Sequence, residues 1–510
     1  MLMTTVTPLR AVRKLIPLIP DTDLSRLIAE GFAMAEAEPL ILEMIDRDRD
    51  AYALGKKRAR LEDQAWLLSR SPPLPGFDFT DDRDWSVDLE LASGRPRMPA
   101  IMVLIFILCR GYYGGFKNRE AATMLAESRT LEIVLVNLDL LMPGASTIID
   151  NANAVRIATL EFIVDAQIRQ ALREGLDDFK ELTFDSTKVE ANSAIPTDSG
   201  LIMGLVVRAE HMLRLLADHG IKLHLPAIMA EMIKDIKNLH KHIQLSSGKK
   251  NSENTRAKLY RKQMRLARKA CKELAKAYER AVKKLSEMDV RPSKLKAAST
   301  LVEWIDVDVK NLSLAISNAD KRINQGEKVP ASEKIMSLSD QDAAMIVKGE
   351  RIPVVGYKPQ IGRSENGFVT AIIVPEGNAA DSGQLRTIVD ASLVRTGIVP
   401  TVLSFDDGYT NGEDRKHYVS LGIEVVSFSG SKGKSLIPAA EYDSQPYKDA
   451  RNNRSAVESL MFTLKHNHDL DRVMRRGIDA VRSELLEKVI AYNFSRLITF
   501  RQRREKQLAA

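Results

Sequence analysis

Three acidic residues stand where a folded chain would use them for metal chemistry. Asp185 lies inside LTFDSTKVEA (182–191), an alternating, β-branched stretch that reads as a strand. A carboxylate inside an apolar strand is costly unless it is paired or metal-bound. Asp406 ends a second such stretch, in SFDDGY (404–409), and Glu458 falls in the first turns of a helix opening near Arg454. Strand ends and helix starts of an α/β sheet are where sites form. Carboxylates shared there can hold two Mg²⁺ ions about 3.5–4 Å apart, which activate a water and stabilise a leaving oxygen. Plainer roles stay open. Asp406 and Asp407 would start a turn before Gly408, and Glu458 would favour a helix amino terminus. Asp407 is the rival of Asp406 if the strand ends one residue later.

Such acids need a sheet to hold them. After the strand near 185, four more candidates follow: 351–362 (RIPVVGYKPQIG), 368–374 (FVTAIIV), 401–405 (TVLSF) and 423–428 (IEVVSF). Helical segments at 381–395 and 412–421 separate the second from the third and the third from the fourth. Helices are expected again at 454–465 and 477–499. Between the first strand and the other four lies a helical block of about 150 residues. This spacing predicts one α/β domain split by a helical insertion, with the strand at Asp185 pairing directly with the later strands. Residues 1–70 read as helices, 69–99 as a Pro/Gly-rich connection, and 100–174 as helices again. Asn118 is placed to cap a helix through Leu125, and 130–137 a second short helix, so a helix-turn-helix is possible there.

Length and composition bound the class. A chain of 510 residues is too long for one compact core, so two to four domains are expected. With 44% hydrophobic and 28% charged residues, collagen-like, disulfide-stapled and mainly disordered chains are excluded. Cys109 and Cys271 are too few for a disulfide framework or thiolate metal cage, which fits a reducing compartment. The longest apolar run, 101–109 (IMVLIFILC), is far short of the roughly 20 residues that span a bilayer. No signal peptide is expected, and a cytoplasmic protein without membrane contact follows.

The net charge of +7 is unevenly spread. Residues 246–300 hold 17 Lys or Arg against 5 Asp or Glu, leaving +12 there and −5 elsewhere. Leu259, Leu266, Ala270, Leu274, Ala277, Ala281, Leu285 and Met288 make a coiled-coil-like stripe with the basic residues outside it. A dense basic helix suits a polyanion, nucleic acid being the commonest inside cells, or is simply a solvated face. Other signals carry less. GSKGKS (430–435) lacks the first glycine of a Walker loop, which would fall at Phe428. It reads instead as a flexible basic contact or a surface turn. His240 and His242, and His466 and His468, have no cysteine nearby to complete a zinc cage. Asp198 and Asp381 read as caps of helices or turns.

Six ordered segments together resemble the DDE transposases of bacterial insertion sequences, of an ISNCY-like or related group. FDSTKVEANSAIPTDSGLI (184–202) is similar to their first catalytic segment. VVGYKPQIGRSENGFVTAIIVPEGNAADSGQL (354–385) is similar to the next strand pair and loop, and SFDDGYTNGED to the second-aspartate segment D-x-G-Y. RSAVESLMFTLKHNHDLDR (454–472) resembles the glutamate helix and AYNFSRL (491–497) the closing helix. GRPRMPAIMVLIFILCRGYYGGFKNREAATML (94–125) resembles their helical amino-terminal domain.

The resemblance implies a catalytic triad of Asp185, Asp406 and Glu458 as metal ligands. Arg454 and Lys465 match the arginine and lysine of the signature Y-(2)-R-(3)-E-(6)-K, and its tyrosine falls at Arg451, where the chain departs. Positions i−4, i and i+7 share a helical face, so both cations are expected on the phosphates beside Glu458. The implied fold is α+β or α/β: an RNase H-like mixed sheet with helices, interrupted by a long helical insertion and preceded by an all-helical domain. The expected domains are 1–93 (helices and linker), 94–178 (helical DNA-binding domain), 179–199 plus 346–500 (catalytic), 200–345 (basic insertion) and 501–510 (basic tail). The resemblance also implies two Mg²⁺ ions, with Mn²⁺ a possible substitute. The partners would be double-stranded DNA, both terminal inverted repeats and target, and a second copy in a synaptic complex near the nucleoid. Lys262, Arg265, Lys269 and Lys272 are the basic-helix residues expected on DNA phosphates. The alternatives are a catalytically inactive, transposase-derived DNA-binding protein and an RNase H-like metal-dependent nuclease.

Overall fold

The computed structural model describes residues 22–70, 98–114, 118–137, 142–193, 196–246, 253–330, 333–347 and 353–509. Among the described residues, seven helices precede the first strand: α1 (Asp23–Ala37), α2 (Leu40–Leu68), α3 (Ala100–Tyr113), α4 (Asn118–Ala126), α5 (Arg129–Asn137), α6 (Ala145–Ala154) and α7 (Ile157–Arg173). Strands β1 (Glu181–Ser186) and β2 (Val189–Glu190) follow. Four long helices come next: α8 (Asp198–Asp218), α9 (Ala227–Ser246), α10 (Glu253–Ser286) and α11 (Pro292–Asn324). The chain then returns to strands β3 (Ala344–Ile346), β4 (Val354–Tyr357), β5 (Gln360–Ser364) and β6 (Val369–Ile373). The remaining elements alternate: α12 (Leu385–Thr396), β7 (Val402–Phe405), α13 (Gly412–Ser420), β8 (Val425–Phe428), α14 (Gly430–Leu436), α15 (Ala439–Tyr442), α16 (Gln445–Asn453), α17 (Ser455–Asn467) and α18 (Ile478–Ala509).

The described parts of 1–52, 93–193 and 342–510 form one compact unit, and those of 53–92 and 194–341 a second. In the first, five strands form a mixed sheet in the order β6-β5-β1-β7-β8. β1 is central: it runs antiparallel to β5 (Asp185 opposite Ile361) and parallel to β7 (Phe184 opposite Phe405). The strand carrying Asp185 therefore pairs directly with the late strands, across an insertion of well over a hundred residues. This is an RNase H-like sheet, and an all-helical region precedes it. Burial on both faces explains why β7 and β8 read as continuous apolar runs.

Helix α3 (AIMVLIFILCRGYY) is buried nearly all round, as expected of a helix with no polar face. It packs against α18 so closely that a Cβ on Gly111 would come within 2.1 Å of the Glu487 carbonyl oxygen. Only glycine permits that approach.

Several local expectations change. The stretch 351–362 is not one strand: β4 and β5 are separate, because Pro359 has no N–H to give a ladder and restricts Lys358 before it. Residues 351–352 lie outside the described residues. β4 leaves for a second, three-stranded sheet, β2-β4-β3, which the sequence did not suggest because two of its strands are only two and three residues long. GSKGKS is not a loop but most of α14. Of the expected Pro-rich connection, 71–97 lies outside the described residues, as do 1–21 and the side chain of Asn118.

The second unit is built from α8–α11 around a core that includes Leu205, Ile236, Met264, Leu274, Ile305 and Leu312. On α10 the fully buried stripe is Tyr260, Gln263, Met264, Ala267, Ala270, Leu274, Ala277 and Ala281. Leu259, Leu266 and Leu285, read from the sequence as part of that stripe, flank it half-buried.

Candidate active site

The site begins with the register of two parallel strands. Phe184 on β1 and Phe405 on β7 are paired and their rings stack at 5.2 Å. Phe405 stacks in turn on Phe428 of β8 at 5.4 Å. The next residue on each of the first two strands is an acid, so Asp185 and Asp406 leave the carboxyl end of the sheet side by side. Asp185 is buried, and its Oδ1 accepts from the Ser186 amide at 2.7 Å. Asp406 is half-buried. Its Oδ1 accepts from the Asp407 amide at 2.8 Å and from Ser429 Oγ at 3.4 Å.

Glu458 arrives from α17 with its side chain 61% exposed. Arg454, at the junction of α16 and α17, stands between it and the strand. Arg454 Nη2 donates to Glu458 Oε1 at 2.9 Å, while Nη1 lies 3.8 Å from Asp185 Oδ2. Lys465, toward the other end of α17, donates to the Lys188 carbonyl and to Asp471 Oδ1, both at 3.1 Å. Its ammonium ties α17 to the chain beyond β1. Arg451, at the place of the signature's tyrosine, lies over the Tyr442 ring at 4.7 Å. Asp185, Glu458 and Arg454 are thus brought together, with Asp406 beside Asp185 by register. Among the described residues no three His, Cys, Asp or Glu side chains are gathered closely enough to hold a metal ion as they stand.

Asp407 is engaged elsewhere. Its Oδ1 accepts from the backbone amides of Lys432 at 2.9 Å and Gly433 at 3.1 Å, holding the first turn of α14. Gly430 has φ +93°, and a Cβ there would come within 2.6 Å of Asp407. Both glycine properties, positive φ and no side chain, are used at that contact.

Behind the acids lies a buried polar group that sequence reasoning left out. The Tyr409 hydroxyl donates to Gln360 Oε1. Gln360 Nε2 donates to Asp381 Oδ1 at 3.0 Å, and Lys358 Nζ pairs with the same oxygen at 2.9 Å. Burial, and then the nearby Asp381, Asp185 and Asp406 carboxylates, hold the Tyr409 phenol well above its usual pKa. It therefore stays a protonated donor. The signal was present: Tyr409 closes DDGY, and Lys358 and Gln360 lie in YKPQ, where polar residues interrupt an apolar strand pair. Asp381, read as a turn cap, does open a short turn, but it also anchors this group.

Residues 348–494 match the family model of the transposase DDE domain. The chain carries a transposase DDE domain. No curated protein and no solved structure matches the chain. The matched span holds Asp406, Arg454, Glu458 and Lys465 but not Asp185, which reaches them only because β1 lies between β5 and β7. A DDE transposase is an enzyme acting on DNA and normally uses divalent metal ions. The carboxylates present fit that need chemically, since hard oxygen donors suit Mg²⁺. Two of them are neighbours on the sheet and the third is held by Arg454.

In the second unit, Lys262, Arg265, Lys269 and Lys272 are exposed on α10. Their spacing of three and four residues puts them along one side of the helix over about 15 Å. Other basic residues of α10 are engaged within the unit: Arg268 with Asp320 at 3.3 Å, Arg261 with Asn324 at 2.9 Å and Lys276 with Glu273 at 2.9 Å. Asp198 is likewise paired, with Arg322 at 2.9 Å. His468 is buried. No helix among the described residues is long and apolar enough to cross a membrane.

Proposed function

We propose that the protein cuts and joins DNA at the ends of an insertion sequence, with Asp185, Asp406 and Glu458 as its catalytic carboxylates. The observation that carries this reading is the adjacent exit of Asp185 and Asp406 from the centre of an RNase H-like sheet, with Glu458 tied to Asp185 through Arg454. Asp185 and Asp406 would hold two Mg²⁺ ions, or Mn²⁺ in their place, and Glu458 would complete the set once it leaves Arg454. Bound there, the cations supply a nucleophile near neutral pH and stabilise charge at the phosphate.

The chain's own residues do the rest. Ser186 and Asp407 fix the two aspartates through their amides. The Tyr409–Gln360–Asp381–Lys358 group holds β5 and the turn after β7 at a set distance from Asp185. Arg454 faces the substrate phosphates, and Lys465 does so on giving up Asp471. Lys262, Arg265, Lys269 and Lys272 contact backbone phosphates without reading bases. Two copies would bridge the two ends.

The direct test supplies Mg²⁺, a duplex with a pre-cut 3′-hydroxyl end and a second duplex. Joining of the end to the second duplex supports the transposase, and cleavage without joining favours a nuclease. A DNA-binding protein without catalysis is the second reading. It is favoured by one observation, that among the described residues no three His, Cys, Asp or Glu side chains are gathered closely enough to hold a metal ion as they stand, and binding with neither cleavage nor joining would establish it.

A further inference from the structure

Glu458 is the one acid of the three that a long helix carries, and its carboxylate is turned to Arg454 at 2.9 Å. The guanidinium also reaches a second carboxylate: its Nη1 lies at ion-pair distance, 3.8 Å, from Asp185 Oδ2, too long for a hydrogen bond. Arg454 therefore places a fixed positive charge between two of the carboxylates that would hold a metal ion. Its side chain is only 21% exposed, so it does not simply trail in solvent. Arginine cannot be deprotonated to release its partners. It leaves only when a stronger or better-shaped anion claims it, and a phosphodiester accepts the same two-pronged donation as a carboxylate.

We propose that Arg454 is a positioning residue that couples DNA binding to assembly of the metal site. Without DNA it holds Glu458 against itself and neutralises Asp185, so the third carboxylate is withheld. When a DNA phosphate engages the guanidinium, Glu458 is released toward Asp185 and Asp406. No bond is made or broken in this step; one ion pair is exchanged for another. The protein then binds metal tightly only with DNA in place, which keeps it from cutting in the wrong context. This inference rests on the three acids being the metal ligands.

Coupling between two ligands is reciprocal and is read as a shift in affinity. The experiment measures Mn²⁺ binding to the full-length protein by electron paramagnetic resonance, with and without a 30-base-pair duplex (about three helical turns), under conditions that stop catalysis. The wild type is expected to bind Mn²⁺ about tenfold more tightly with the duplex than without it. Arg454→Gln, which keeps the side chain's bulk but not its charge, should bind Mn²⁺ without DNA about as tightly as the loaded wild type, and the duplex should then add little. Arg454→Lys should behave between the two, since an ammonium cannot span both carboxylates. Adding Glu458→Gln to Arg454→Gln should remove the gain. If the wild type binds Mn²⁺ tightly with DNA but Arg454→Gln gains nothing without it, the coupling is overturned while the metal site stands. If no form binds Mn²⁺ even with DNA, the metal-site reading falls and takes this inference with it.

Discussion

Asp407 accepts a hydrogen bond from the backbone amide of Lys432 at 2.9 Å. That bond separates the two adjacent aspartates of SFDDGY. Asp407 is committed to the first turn of α14, whereas Asp406 stands beside Asp185. Asp407→Ala is expected to retain cleavage and joining while losing about 1–2 kcal/mol of stability, as loss of a side chain capping a helix start does. Urea unfolding together with a cleavage assay checks both halves.

The buried group behind the acids makes a second prediction. Tyr409→Phe removes the donor to Gln360 and leaves a buried acceptor unmet, at a cost of about 1–3 kcal/mol. Gln360→Leu should cost more, because it strips a donor from Asp381 as well. Denaturation midpoints of the two variants give the order, and equal stability of Gln360→Leu and the wild type would refute the role assigned to this group.

Stability should also depend on pH through His468. Burial, and then the neighbouring Lys488 ammonium, lower its pKa from 6.5 to about 4. Below pH 6.5 the unfolded chain takes up a proton that the folded one refuses, so the folded state loses ground as pH falls. The loss starts near pH 6.5, steepens to about 1.4 kcal/mol per pH unit, and ends near pH 4; above pH 6.5 this residue contributes nothing. Thermal melts from pH 7.5 to 4.5 should show the decline, and His468→Gln should flatten it.

On α10, replacing Lys262, Arg265, Lys269 and Lys272 with Ala should weaken binding to all duplexes alike. If all four meet phosphates, the slope of log affinity against log salt should fall by about 3–4. Loss of affinity for one sequence only would mean that the helix reads bases.

What the sequence disclosed follows from where the physics is local. Strand β1 was legible because β-branched residues alternate around Asp185, and the late strands because they are apolar runs closed by turns. The insertion was legible as a charge excess and a helical stripe. Strands of two and three residues carry no period, so the second sheet was not. The short helix at GSKGKS forms because Asp407, more than twenty residues earlier, caps it, and no local pattern reports such a contact. In the site, Asp185, Asp406, Glu458 and Arg454 were legible as types at positions. That Lys465 would be drawn to Asp471 and the Lys188 carbonyl, and that Lys358 and Gln360 would meet Asp381, depended on how the chain closes in space.

The central claim is that Asp185, Asp406 and Glu458 act together on DNA, and joining of a pre-cut end in Mg²⁺ by single variants tests it most directly. Asp185→Ala, Asp406→Ala and Glu458→Ala should each lose joining by a factor of at least about 10³, on the scale expected for loss of a group that acts only in the transition state. Duplex binding should be nearly unchanged, and Asp407→Ala should remain active. If Asp406→Ala stays active and Asp407→Ala does not, the second acid has been misassigned by one residue. If all three variants still join DNA, these carboxylates are not the catalytic centre.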